Sequence, residues 1–226
     1  MDDIKGKRIK VVVFTLLYVF AVAAGIHLLD IFIIHNLSFW IQPLIRLLLT
    51  LLVLPFPIFS LVREKESFID IGFSQDNIVI QFIIGIIIAL VMSLVLVVLP
   101  FFIGAKGSSS KIEHSLLQFI FQCLYSCISV SFVQIFIFNG VFYHRLYTLF
   151  GSSPVPILLV TILTGLYNLN FMNIYQACAS AIIGTFFCFC MEGIKNCSLL
   201  SLIVAYGIFD IISVNRTSLL SIIFNR

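Results

Sequence analysis

Five polar side chains interrupt apolar runs at points where a membrane helix would bury them: Gln134, Asn139, Asn168, Tyr206 and Asp210. The first two stand in FVQIFIFNGVFYHRLY, residues 132–147, a stretch that ends on His144 and Arg145. Asn168 stands in ILTGLYNLNF, and Tyr206 and Asp210 in LIVAYGIFDIIS. Amides, a phenol and a carboxylate exchange hydrogen bonds, and buried polar groups need partners. Tyr206 and Asp210 are four residues apart and share a helix face. If the helices bearing these residues pack together, the five form one polar cluster. The alternative is a set of scattered interhelical hydrogen bonds, each worth about 0.6–2 kcal/mol.

Proton chemistry is scarce in this set. Gln and Asn amides do not take up a proton near neutral pH, and a phenol with an ordinary pKa of about 10 is a poor base. Asp210 is the one carboxylate left near the set. The histidines, His27, His35, His114 and His144, lie near the ends of apolar runs. There is no HExxH and no clustered His/Cys/Asp/Glu set, so the spacing supports neither a metal nor a cofactor. The cysteines, Cys123, Cys127, Cys178, Cys188, Cys190 and Cys197, form no CxxC pair and read as small packing residues.

The elements that must position these groups follow from composition. The 226 residues are 61% hydrophobic and 10% charged, with a mean hydropathy of +1.18. A soluble domain carries about 25% charged residues, so much of this chain must have lipid as its solvent. The net charge of +3 is small, and most basic residues stand at segment ends, which suits membrane topology and not nucleic-acid binding. The pattern predicts an all-α, polytopic membrane bundle of about seven helices, roughly 10–34, 39–62, 78–103, 115–143, 154–171, 175–193 and 198–214. The stretch TSLLSIIFNR is interfacial or part of an eighth. Each segment is near the ~20 apolar residues that a spanning helix needs, and no ~10-residue alternating segments of a membrane β-barrel occur. The N-terminus resembles a signal peptide, but its apolar run continues to Ile34, which predicts a retained first span.

With the N-terminus cytoplasmic, Lys5, Lys7, Arg8, Lys10, Arg63, Lys65, Arg145 and Lys195 face the cytoplasm, and Lys106, Lys111, Arg216 and Arg226 do not. Arg46 lies inside the second span. Eight against four favours that orientation. Among ionisable residues in spans, Asp30 and Arg46 are placed to form an ion pair or to snorkel to the interface. Glu192 and Lys195 read as a solvated pair at a helix end. GAKGSSSK reads as a flexible connection, and Ser153 as a helix cap before Pro154.

Four stretches, in order, carry a family resemblance: SFIDIGFSQDNIVIQFIIGIIIAL, FVQIFIFNGVFYHRL, ILTGLYNLNF and GTFFCFCMEGIKNCSLLSLIVAYGIFDII. Together they resemble the CPBP family, the CAAX prenyl protease, bacteriocin-processing and Abi intramembrane proteins. The resemblance covers residues 67–214 and leaves 1–66 as a two-helix lead-in within one integral membrane domain, 1–226. It implies a CAAX-protease-like bundle in a bacterial plasma membrane. It also places the first motif's two Glu on Gln134 and Ile135 and its Arg on Asn139, with Gly140 retained. The second motif's His falls on Asn168 and its Phe on Thr164. The third motif's His falls on Tyr206, and its polar partner on Asp210. Family members are held to activate a water with Glu and His, and every such position is altered here.

The resemblance therefore implies a catalytically inactive, pseudoprotease-like member. Its altered pocket (Gln134, Asn139, Asn168, Tyr206, Asp210) would bind rather than cleave. The expected partners are membrane lipid and another membrane protein or hydrophobic peptide, in bacteriocin immunity or regulation of a membrane enzyme. An intramembrane endopeptidase with a rearranged site on Asp210 and Tyr206 is the competing reading. A transporter subunit is weaker, because no internal repeat is present.

Overall fold

A computed structural model of the chain describes residues 2–37, 41–74, 77–98, 116–151 and 154–215. The connection 104–111, the Ser153 cap and the segment 217–226 lie outside the described residues. Among the described residues all regular structure is helical, as lipid requires of a backbone that must satisfy its own hydrogen bonds. In chain order the elements are α1 (Asp2–Phe32), α2 (Gln42–Leu51), α3 (Pro55–Glu64), α4 (Ile78–Ser93), α5 (Leu116–Tyr125), α6 (Tyr143–Phe150), α7 (Pro154–Asn168), α8 (Ile174–Gly193) and α9 (Leu199–Val214). Two π-helical segments, Ser126–Phe132 and Ile135–Phe142, join α5 to α6.

Five helical stretches among the described residues are long and apolar enough to cross a membrane: Gly6–Asn36, Gln42–Glu64, Ile78–Val98, Phe119–Phe150 and Ile174–Gly193. The segments expected at 154–171 and 198–214 are shorter helices of 15 and 16 residues. At 1.5 Å per residue they run about 22 and 24 Å, less than the ~30 Å hydrocarbon core. The stretch Gln42–Glu64 is broken between Leu51 and Pro55. Proline has no N–H to donate and crowds the preceding turn, and it starts α3 instead. The carbonyl of Leu52 at this break accepts a hydrogen bond from the Tyr18 hydroxyl at 2.7 Å, and the Tyr18 ring stacks on Phe56. The fourth span, expected to end at 143, continues to Phe150. Tyr143, Arg145 and Leu146 are buried there, and Gly151, at φ 67°, ends the helix.

Every residue of Ile135–Phe142 is buried. A stretch that is apolar on all sides belongs in the middle of a bundle, and this one packs against α3, α7, α8 and α9. The outer helices leave apolar side chains exposed, including Val79, Phe82, Ile83, Ile86, Ile87 and Leu90 on α4. Such a surface suits lipid. α4 and α9 meet closely because position 85 is glycine. A Cβ there would lie 2.6 Å from the Ser201 carbonyl oxygen.

The ion pair expected near the start of the second span is present. Arg46 Nε donates to Asp30 Oδ1 at 2.8 Å, with both side chains more than a third exposed, so it adds little stability. The expected Glu192–Lys195 pair is not what Glu192 makes. Its carboxylate accepts the hydroxyl of Tyr143, the first residue of α6, so the partner comes from across the bundle and not from the next turn of its own chain. All six cysteines are free thiols.

Candidate functional site

The π-helical segments decide how Gln134 and Asn139 are presented. Five residues on an ordinary α-helix turn through about 140° net, so Gln134 and Asn139 would face different neighbours. In a π-helix the hydrogen bonds close on the fifth residue: the N–H of Val133 donates to Ile128 O, and that of Tyr143 reaches Phe138 O. Ser131 Oγ likewise donates to Ser126 O at 2.8 Å, five residues back. Positions five apart then share a face, and Gln134 and Asn139 both line one small cavity.

That cavity is also lined by Ile135, Thr164, Ser180 and Tyr206. Its volume is about 10 Å³, room for about one water and not for a peptide. Gln134 Nε2 donates to Asn168 Oδ1 at 3.2 Å, and Asn168 Nδ2 returns to Gln134 Oε1 at 3.5 Å. Asn168 Nδ2 also donates to Thr164 O at 2.9 Å. Asn139 Nδ2 donates to Gly184 O at 3.2 Å and to Cys188 Sγ at 3.3 Å. The Tyr206 ring packs edge-on to Phe187 with centroids 5.6 Å apart, and the residue faces Ser180 across the cavity. Thr164 Oγ1 is buried without a hydrogen-bond partner among the described residues.

The structure thus brings together Gln134, Ile135, Asn139, Asn168 and Tyr206. Asp210 stands apart from this cavity's lining. One turn beyond Tyr206 on α9, its Oδ2 accepts from Ser126 Oγ at 2.6 Å. Among the described residues the cavity's lining carries amides and hydroxyls and no carboxylate or imidazole; these groups donate and accept hydrogen bonds but are not suited to general-base work at neutral pH. Among the described residues no three His, Cys, Asp or Glu side chains gather as metal ligands would.

The two amides are committed to each other, and this has a measurable consequence. Gln134→Leu leaves the Asn168 amide without its cross-helix partner and is expected to destabilise the protein by about 1 kcal/mol. The double variant Gln134→Leu/Asn168→Leu is expected to regain most of that loss, since removing both partners leaves no orphan. Thermal unfolding of the single and double variants in detergent reads the difference. A double variant less stable than either single one would show that the amides act independently.

Arg145 departs from its expected role as a basic helix end at the surface. Its side chain is 5% exposed. Nε and Nη2 donate to Glu66 Oε2 at 3.0 and 2.9 Å, and Nη1 donates to Thr15 Oγ1 on α1 at 3.3 Å. One guanidinium thus ties the central helix to α1 and to the chain that follows α3. The apolar residues around Arg145 and the acidic Glu64 and Glu66 were the signal in the sequence, but neither fixes a pairing across 79 positions.

The five long apolar helices and the polar groups buried between them define an integral membrane helix bundle. No family model, curated protein or solved structure matches the chain, so the CPBP resemblance stands on the four motifs alone.

Proposed function

We propose that this chain is a catalytically inactive, CPBP/Abi-like protein of a bacterial plasma membrane. In this reading it holds or regulates a membrane partner, another membrane protein or a hydrophobic peptide, and does not cleave it. The observation that carries the reading is the reciprocal Gln134–Asn168 amide pair at the place of an acid and a base. The cavity around it has room for about one water. Asp210, the carboxylate that a rearranged protease would need, is bonded to Ser126 outside that lining.

The finer topology belongs to the same proposal: seven crossings, with α7 and α9 as the short ones and the N-terminus cytoplasmic. Short helices are accommodated by local thinning of the bilayer at a modest cost per ångström. Support comes from the residues that gather at each end of the bundle. Arg8 of α1, Glu64 at the end of α3 and Arg145 line one pocket. Towards the other end of α1, His27 meets Phe171 from the turn between α7 and α8. Helices that alternate in direction give this grouping.

The reading is tested by offering prenylated and hydrophobic peptides to the purified protein in proteoliposomes, beside Asp210→Asn. Neither protein is expected to cleave them. Cleavage by the wild type that Asp210→Asn loses would establish an endopeptidase and overturn the proposal.

A further inference from the structure

A cleft of about 480 Å³ opens between α6 and the end of α8, lined in part by Asp70, Gly72, Tyr143, Tyr147, Met191 and Glu192. Its size falls in the range of small-ligand sites. Among the described residues the lining holds two carboxylates and neither lysine nor arginine, with His144 as its other titratable side chain besides the two tyrosines. Asp70 Oδ2 accepts from the Ser67 N–H at 2.7 Å and from Ser67 Oγ at 2.8 Å. These hydrogen bonds hold its carboxyl below the usual range, so it is ionised at neutral pH. Glu192 Oε1 accepts the Tyr143 hydroxyl, and Oε2 has no partner among the described residues.

Aromatic faces complete the site. The rings of Tyr143 and Tyr147 lie 6.1 Å apart, tilted by 38°, and an aromatic face attracts a cation within about 6 Å of its centroid. Met191 and Ile71 add apolar wall. Gly72, at φ 105°, keeps that wall back, since a Cβ there would meet Met191 Cε at 2.8 Å. Negative charge, paired aromatic faces and an apolar wall match one chemistry, a cation carried on an aliphatic stem.

We propose that this cleft binds an alkylammonium group on an apolar stem, of the kind a lysine side chain of a membrane-associated peptide presents. A phosphodiester beside the amine would lack an Arg or Lys to pair with, which disfavours an aminophospholipid headgroup. The cleft shares no lining residue with the polar cavity, so the proposal does not depend on the absence of proteolysis.

Calorimetric titration of the full chain in nonionic detergent tests it, with hexylammonium, hexanol, hexanoyl-lysine amide and a short-chain phosphatidylethanolamine as probes. Hexylammonium is expected to bind roughly tenfold tighter than hexanol. Glu192→Gln, which keeps an acceptor for the Tyr143 hydroxyl, and Tyr147→Ala are each expected to remove most of that preference. The variants are compared with the wild type at matched unfolding midpoints. Hexylammonium binding no tighter than hexanol would overturn the proposal, as would a Glu192→Gln/Asp70→Asn protein that binds like the wild type. So would short-chain phosphatidylethanolamine binding as tightly as the lysine compound.

Discussion

Glu66→Ala is expected to destabilise the folded protein by about 3 kcal/mol, more than Arg145→Met does. Removing one partner of a buried ion pair leaves the other charge desolvated and unpaired, at a cost of roughly 3–5 kcal/mol. The lower end applies because Glu66 keeps 22% of its side-chain surface exposed. The asymmetry follows from burial. Arg145, at 5% exposed, cannot regain water when Glu66 is lost, and Thr15 Oγ1 at 3.3 Å offers only a neutral acceptor. Glu66 can turn towards solvent when Arg145 is lost, and methionine fills much of the guanidinium's stem volume. Heat inactivation of the detergent-solubilised variants measures the order, as half-lives at one temperature where unfolding is irreversible. Equal half-lives for Glu66→Ala and wild type would show that the clamp contributes nothing.

The same clamp marks where the sequence stops being informative. Hydropathy alone locates the apolar helices, because length and composition are local properties and lipid imposes them segment by segment. It also brings Asp30 and Arg46 together, since 16 residues and one turn separate them. Arg145 and Glu66 are 79 positions apart, Thr15 and Arg145 130. No local rule ranks those partners over the other acids and hydroxyls of the chain. Position next to His144 reads as a helix end at the interface, and only the packing of α1 across α6 shows that the surface there is covered.

For the polar cavity the sequence supplies the residues but not the geometry. Gln134, Asn139, Asn168 and Tyr206 are each visible as interruptions of apolar runs, yet α-helical spacing separates Gln134 from Asn139 by more than a third of a turn. The π-helical closure puts them on one face, and the polar pairs Ser126/Ser131 and Gln134/Asn139, each five apart, are its trace in the sequence. Asp210 fails in the opposite sense. Its spacing from Tyr206 places both on one face, but Ser126 stands one turn further along the bundle and takes the carboxylate. Sharing a face fixes direction, and depth depends on the neighbour.

Gly85→Val is expected to cost more than 3 kcal/mol or to prevent folding, and Gly85→Ala about 2 kcal/mol. A Cβ at this position would lie 2.6 Å from Ser201 O and 2.9 Å from Val204 Cβ. The first contact is backbone, so relief requires α9 itself to move, and added bulk in a filled interface costs about 1–3 kcal/mol. The helices have little freedom to part. One turn earlier on α4, Gln81 Oε1 accepts from Ser198 Oγ at 2.5 Å, and that serine also caps α9 through Ser201 N. Shifting α9 away from Gly85 therefore strains a buried side-chain bond and a helix cap together. It also displaces Tyr206, which faces the polar cavity from the same helix. Close approach of small residues is how helices associate where lipid removes the hydrophobic drive. Gly25→Ala in α1 is the control: a Cβ there meets nothing within 4 Å, and alanine is the better helix former by about 1 kcal/mol. Thermal unfolding of the three variants is expected to rank Gly25→Ala at or above wild type and Gly85→Ala well below it. If Gly85→Ala matches Gly25→Ala, α4 and α9 do not pack through this glycine, and the placement of Tyr206 at the cavity loses its support.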